Sequence, residues 1–351
     1  MIGYDSRNFS EEFAKEAAAV FAGNGIKVYL HTEIIPVPVL SFSVRHLRCA
    51  AGVMITASHN PKEYNGYKVY GPDGAQLSLT DSAQISRIML SITDYTKVPS
   101  FSFDFFKTGN NIKYVDSNIK SIYLKEVKKL IADKEGFKKN AGKITVVYTP
   151  LHGAGAKWIP EILKECGVTN LHTVKEQMQP DGNFPTVNLP NPEDPAAFTM
   201  ALDLAKNIQA DIVLASDPDS DRTGVYARTP NGDYAMLNGN QIGVLLLERI
   251  IESHNMRKMM PVNPFVVSTV VSTRLTKQIC ETNNIEYIDV LTGFKFIGEK
   301  IMELDERGDK NFLFGFEESY GYLPGTYARD KDAVAGCLFI CLLYTSDAAD
   351  D

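Results

Sequence analysis

The segment Gly52-Val53-Met54-Ile55-Thr56-Ala57-Ser58-His59-Asn60-Pro61 delivers a serine from an apolar, strand-like run into a loop, and Asn60-Pro61 stops the chain from continuing as strand or helix. A hydroxyl held at a strand end suits a nucleophile, provided a neighbour activates it. Downstream, Asp217-Pro218-Asp219-Ser220-Asp221-Arg222 alternates carboxylates in an extended loop. Alternation puts Asp217, Asp219 and Asp221 on one side, an oxygen set for a hard cation such as Mg²⁺. Three uncompensated carboxylates would repel one another, and a cation resolves that. Serine, cation loop and nearby basic residues together point to phosphoryl transfer through a phosphoserine, with Ser58 and the three aspartates around the metal.

Each motif has a plainer reading. A lone Ser-His pair is ordinarily a turn, and an acidic loop is ordinarily solvated. The strand before Asp217 is too apolar for a solvated turn. An EF-hand also opens D-x-D-x-D, but Arg222 stands at the sixth position and Arg228 at the twelfth. A phosphatase with Asp217 as nucleophile is a second rival, and it leaves Ser58 without a role.

Helix-like and strand-like segments alternate along the chain, which implies layered α/β units with mixed sheets. Helical periodicity spans 11–22, with Ser10 as an N-cap, and a strand is expected at 26–30. Strands at 52–56, 144–148, 211–215, 286–290 and 312–316 each open onto a polar loop, the edge where ligands sit in open α/β sheets. The irregular stretch 94–111 and the turn Thr229-Pro230-Asn231-Gly232-Asp233 are the expected boundaries.

The 351 residues imply more than one domain. A net charge of −7 and a pI near 5.5 argue against nucleic-acid binding. An acidic chain can still take an anionic substrate if cations cluster locally. Five scattered cysteines without C-x-x-C spacing read as free thiols of a reducing compartment. The longest apolar stretch, 333–344, is too short to span a membrane, and the first residues are not a signal peptide. A cytoplasmic protein without membrane partners is expected.

Three motifs in order carry a resemblance to a family. Thr56-Ala57-Ser58-His59-Asn60-Pro61 resembles the phosphoserine loop of the α-D-phosphohexomutases, the phosphoglucomutase/phosphomannomutase family. Asp217 to Arg222 resembles its magnesium loop, and Gly315-Phe316-Glu317-Glu318-Ser319-Tyr320-Gly321 its sugar-binding loop. Tyr4-Asp5-Ser6-Arg7-Asn8-Phe9, Tyr148-Thr149-Pro150-Leu151-His152-Gly153 and Phe184-Pro185-Thr186-Val187 point to the phosphoglucomutase/phosphopentomutase-like branch.

The resemblance implies consecutive layered α/β/α domains: domain I over 1–100, incomplete at its start, domain II over 111–230 and domain III over 235–343. Residues 344–351 read as a tail outside the family pattern, where a fourth domain should follow. The family pattern also implies an upstream arginine near the phosphoserine, expected to be missing here.

The implied activity is an isomerase, an intramolecular phosphotransferase interconverting hexose 1-phosphate and hexose 6-phosphate, glucose foremost. Mg²⁺ is the implied cofactor and glucose 1,6-bisphosphate the activator and intermediate. A sugar phosphate is the implied partner, bound by a monomer or homodimer. Phosphomannomutase, phosphopentomutase and glucose 1,6-bisphosphate synthase use the same machinery and stay open, as does an inactive sugar-phosphate-binding fragment. By the same resemblance Glu317 and Ser319 contact sugar hydroxyls, while Thr292, Gly293 and Lys295 touch the sugar or its phosphate. Arg222 is expected beside the phosphoserine or substrate, with an ordinary salt bridge as its plainer reading. Lys68 and Lys331 match positions for proton transfer or charge stabilisation. Lysine transfers protons only if its pKa is pulled down, so His59 is the cheaper base.

Overall fold

Strand-forming runs alternate with helices from end to end, and the strands collect into three separate sheets. The computed structural model describes residues 1–100 and 102–347. Strands β1 (Ile2–Tyr4), β2 (Val28–Leu30), β3 (Gly52–Ile55), β4 (Tyr67–Tyr70) and β5 (Ile112–Tyr114) form the first sheet, in the order β4-β3-β1-β2-β5. In it β4 runs antiparallel to β3 and the other pairings are parallel. Strands β6 (Thr145–Thr149), β7 (Asn170–Thr173), β8 (Ile212–Ser216), β9 (Thr223–Arg228) and β10 (Tyr234–Leu237) form the second, ordered β10-β9-β8-β6-β7. Strands β11 (Pro264–Thr269), β12 (Glu286–Val290), β13 (Asn311–Glu317) and β14 (Gly321–Leu323) form the third, ordered β12-β11-β13-β14. Each sheet is mixed and carries helices, as the alternating pattern requires.

Both boundary stretches carry sheet structure that the sequence reading left out. The stretch 94–111 contains a helix, Phe103–Thr108, and its Phe106 packs with Ile2, Val28 and Val53. Strand β5 then pairs with β2 as an edge of the first sheet. Both elements are too short to show a period, the helix burying only Phe106 and the edge strand only Ile112. The turn at 229–233 is a hairpin rather than a linker: Thr229 N–H donates to Asp233 O at 2.7 Å, and β10 pairs with β9 inside the second sheet.

Local signals also shift. The first helix runs Ser10–Gly23, and Phe9, at φ 65°, precedes it. Ser10 does not cap it; its hydroxyl donates to Asp5 Oδ1 at 2.8 Å. The helix Gly239–Arg257 starts with a capping box, in which Asn238 and Gln241 exchange side-chain to backbone hydrogen bonds at 2.9 Å each.

The apolar stretch 333–344 is the last helix, Ala333–Asp347, and its residues from Ala333 to Leu342 are buried without a break. It lies against helices Lys134–Ala141 and Ile159–Glu165 of the second unit and Gly239–Arg257 of the third. Residues 344–347 of the expected tail continue this helix, and 348–351 lie outside the described residues. Among the described residues no helix is long and apolar enough to cross a membrane.

Leu338, fully buried in that helix, gives a test of its bridging role. Leu338→Ala is expected to destabilise the chain by about 2–5 kcal/mol, read by urea denaturation. A change below about 0.5 kcal/mol would place this face outside the core.

Candidate active site

Strand β3 ends at Ile55, and the loop that follows is braced before Ser58 is reached. Thr56 Oγ1 accepts from Ser58 N–H at 2.9 Å and lies 2.7 Å from Asp5 Oδ2 and 3.1 Å from Asp219 Oδ2. Ser58 has φ 52°, a left-handed conformation that costs energy for a non-glycine residue and needs its surroundings to hold it. Arg7 supplies that hold. Its buried guanidinium donates to the carbonyls of Ser58 (2.5 and 3.2 Å), Pro61 (2.9 Å), Tyr64 (3.0 Å) and Asn60. Asp5 lies 3.6 Å away as its counter-charge.

Ser58 Oγ donates to Asp217 Oδ2 at 2.9 Å and lies 3.2 Å from His59 Nδ1. Burial, followed by the charge of Arg222, lowers His59 to about 4, so its imidazole is neutral at pH 7.

The aspartate loop follows β8, at the carboxyl edge of the second sheet. Asp217 Oδ1 accepts the backbone N–H of Asp221 and of Arg222 at 3.0 Å each, which leaves Oδ2 for Ser58. Gly153 makes room for the loop: an added Cβ there would stand 2.5 Å from Pro218 Cα. The three aspartates are buried, and one carboxylate oxygen of each lies within 4.8 Å of the others. Asp219 Oδ1 and Asp221 Oδ1 have no hydrogen-bond partner. Buried, clustered carboxylate oxygens with free lone pairs fit a small divalent cation. Burial and the neighbouring Asp219 and Asp221 push Asp217 well above the usual carboxylate range.

Three cations from three parts of the chain face this cluster. Lys68 Nζ, from β4, lies 2.9 Å from Asp219 and 3.6 Å from Asp221. Lys331 Nζ lies 3.1 Å from Asp221, 3.3 Å from Asp330 and 3.9 Å from Glu317. Arg222 pairs with Glu193 and lies 3.9 Å from Asp221. Burial alone would lower Lys68 and Lys331, but the aspartates outweigh it and raise both. Both lysines are therefore held as ammonium ions.

Glu317, the last residue of β13, is buried, and burial raises its pKa while Ser319 hydrogen-bonds to it. Glu318 turns away, accepting from Thr269 Oγ1 at 2.7 Å and Ser272 Oγ at 3.3 Å. The expected site residues thus divide. Ser58, His59, Lys68, Asp217, Asp219, Asp221, Arg222, Glu317, Ser319 and Lys331 form one connected cluster. Thr292 and Gly293 lie in the loop before helix Phe294–Arg307, with Thr292 exposed. Lys295 Nζ sits 5.1 Å from the Phe296 ring centroid, and it is Phe294 that reaches the cluster, 5.4 Å from Lys331 Nζ.

Known proteins resemble this chain in sequence and fold. The family descriptions "Phosphoglucomutase/phosphomannomutase, alpha/beta/alpha domain I", domain II and domain III match residues 1–96, 121–232 and 238–349 in turn. The chain belongs to the phosphoglucomutase/phosphomannomutase family. It is 42% identical over 338 residues to the phosphoglucomutase of Staphylococcus aureus (strain USA300), an alignment covering 95% of this chain and 58% of that protein. The chain therefore spans little more than half the length of the curated relatives it matches. A structure from Thermus thermophilus assigned as a phosphomannomutase has a TM-score of 0.80 at 25% identity, covering 99% of this chain and 71% of that one. The open form of the Paramecium phosphoglucomutase parafusin shares the fold, with a TM-score of 0.73 at 19% identity over 100% of this chain and 64% of that one.

Within this family member, Asp5, Arg7, Thr56 and Asp330 join the site without having been singled out as site residues. The run Asp5-Ser6-Arg7 directly after β1 was the available signal for Asp5 and Arg7, since β1 and β3 are neighbours and share a carboxyl edge. Asp5 also yields a pH prediction. Burial, then the charge of Asp219, raises its pKa from 3.8 to about 6. The folded chain thus holds a proton that the unfolded chain loses between those values. Its stabilising effect is complete below pH 4 and is lost as pH rises through 6. Without divalent cations, the unfolding free energy of wild type minus that of Asp5→Asn should rise by about 2.4 kcal/mol from pH 7 to pH 4, measured by urea denaturation. A flat difference would mean that Asp5 stays ionised.

Proposed function

We propose that the chain carries the phosphoryl-transfer machinery of a mutase that interconverts hexose 1-phosphate and hexose 6-phosphate, with glucose as the sugar. The observation that supports this best is Ser58 Oγ, 2.9 Å from Asp217, with two ammonium groups held at Asp219 and Asp221 of the same loop. The phosphoglucomutases among its relatives support glucose.

In the reaction, a free sugar hydroxyl attacks phosphorus of phospho-Ser58. The new P–O bond forms as the bond to Ser58 Oγ breaks, giving a bisphosphorylated sugar. After that sugar turns over, Ser58 Oγ attacks its other phosphate and the phosphoenzyme is restored. His59, neutral and next to Ser58 Oγ, takes the proton of the attacking hydroxyl in each step and passes it to the departing oxygen, from the sugar hydroxyl to Ser58 Oγ in the first step and from Ser58 Oγ to the sugar oxygen in the second. Lys68 and Lys331 serve as fixed charges rather than bases, because the aspartates hold their protons. Asp217, Asp219 and Asp221 would hold Mg²⁺ together with a phosphate oxygen from Ser58. When bound, the ion neutralises charge on the transferring group. Glu317 and Ser319 accept and donate hydrogen bonds to ring hydroxyls. Arg222 gives up Glu193 for the substrate's phosphate, and Thr292, Gly293 and Lys295 contact the sugar from the edge of the third sheet.

The test is to incubate the chain with Mg²⁺ and glucose 1,6-bisphosphate and map phosphate by peptide mass spectrometry. Phosphate is expected on Ser58, and Ser58→Ala should cut labelling at least about 10³-fold. Phosphate on Asp217 would sink the mutase reading in favour of a hydrolase. Absence of phosphate would leave a sugar-phosphate-binding chain. Running the same assay with mannose 1,6-bisphosphate and ribose 1,5-bisphosphate decides the sugar.

A further inference from the structure

Lys331 sits between two buried aspartates, and each is gripped from a different part of the fold. Asp330 Oδ2 accepts from Tyr70 Oη at 2.8 Å and from Gln76 Nε2 at 2.9 Å, both in the first unit. Asp330 Oδ1 accepts from Lys331 itself, through the backbone N–H at 2.9 Å and Nζ at 3.3 Å. Asp332 Oδ2 accepts from Tyr123 Oη at 2.5 Å, in the second unit, and from Tyr327. Its Oδ1 caps the last helix, accepting N–H groups of Val334 at 2.8 Å and Ala335 at 3.0 Å. Tyr70, Tyr123 and Asp332 are 0% exposed, Asp330 1% and Lys331 6%. The lysine stem lies on Gly321, where an added Cβ would stand 2.0 Å from Lys331 Cδ.

A lysine side chain has four flexible torsions and a point charge, so its ammonium goes where its backbone and neighbours send it. Here the backbone on both sides is fixed by buried, charge-assisted hydrogen bonds, the strong class. Phenylalanine at 70 or 123 would fill the core equally well. The hydroxyls add something else: they tie the aspartates on either side of Lys331 to the first and second units.

We propose that Tyr70, with Gln76, and Tyr123 are positioning residues for phosphoryl transfer, anchoring Asp330 and Asp332 so that the Lys331 ammonium stays at Asp221 and Glu317. This rests on the reading of Lys331 as a fixed charge of the transfer reaction.

Two measurements test it on the intact chain. In the first, lysines are acetylated under native conditions with limiting acetic anhydride and quantified by peptide mass spectrometry. Tyr70→Phe and Tyr123→Phe should each speed acetylation of Lys331 about fivefold or more, with Lys68 and Lys295 unchanged. No change at Lys331, or a uniform rise at all three, overturns the anchoring.

The second is the rate of Ser58 phosphorylation by glucose 1,6-bisphosphate. Tyr70→Phe should slow it about tenfold, yet by less than about twofold in a Lys331→Gln background, because it acts through that lysine. Additive losses would make Tyr70 merely structural. A wild-type chain that takes no phosphate overturns the role in transfer, and the acetylation pattern still decides the anchoring.

Discussion

Three carboxylates buried in one short span, 217–221, are the constraint around which this molecule is arranged. Each would cost several kcal/mol to remove from water without compensation. No single sheet supplies enough of it. Lys68 comes from the first unit, Arg222 from the loop itself and Lys331 from the third. The backbone repeats this division. Asp219 O accepts from Val37 N–H, Pro218 O from Ala154 N–H and Ser220 O from Ala333 N–H, at 2.8, 2.8 and 3.1 Å. The loop is therefore held by all three units, and part of their docking surface is the loop's own hydrogen bonds.

What the sequence made legible was the part governed by local chemistry. Apolar runs ending in Ser58, Asp217 and Glu317 marked strand ends, and those ends do converge. Alternating aspartates marked a loop of clustered carboxylates, whose buried, unpartnered oxygens fit a small cation. The parts that stayed hidden depend on partners far along the chain. Ser10 looked like a helix cap but its hydroxyl goes to Asp5, a choice that local propensity cannot show. Strand β5 carries two exposed residues of its three, so its place at a sheet edge left almost no pattern to read. Arg7 had no visible purpose until the distant loop at 58–64 was folded against it.

Burial sorts the cluster's titratable groups into separate duties. The same exclusion of water that lowers His59 would lower the lysines as well, were they not beside carboxylates. His59 has only cations near it apart from Asp219, so it loses its proton, and the lysines keep theirs. In the proposed reaction this separates the group that moves a proton from the groups that hold charge, without either needing a special residue type. The sequence alone left that choice open, because the direction of each shift depends on which charges the fold places nearby.

Arg7 shows why the arrangement holds still. A guanidinium beside a serine loop proposed to carry phosphate would ordinarily be read as a phosphate ligand, since its planar fork suits that anion. Here its donors point to the carbonyls of Ser58, Asn60, Pro61 and Tyr64, and Asp5 balances its charge. Its work is to hold a left-handed serine in place. Polar groups fixed in advance need not reorganise when charge develops nearby, and that saving is usually the largest electrostatic contribution of a site. The carbonyls of the serine loop, the N–H groups on Asp217 and the aspartates beside Lys331 are each fixed in this way. A mobile loop with the same side chains would have the same residues and much less of their effect.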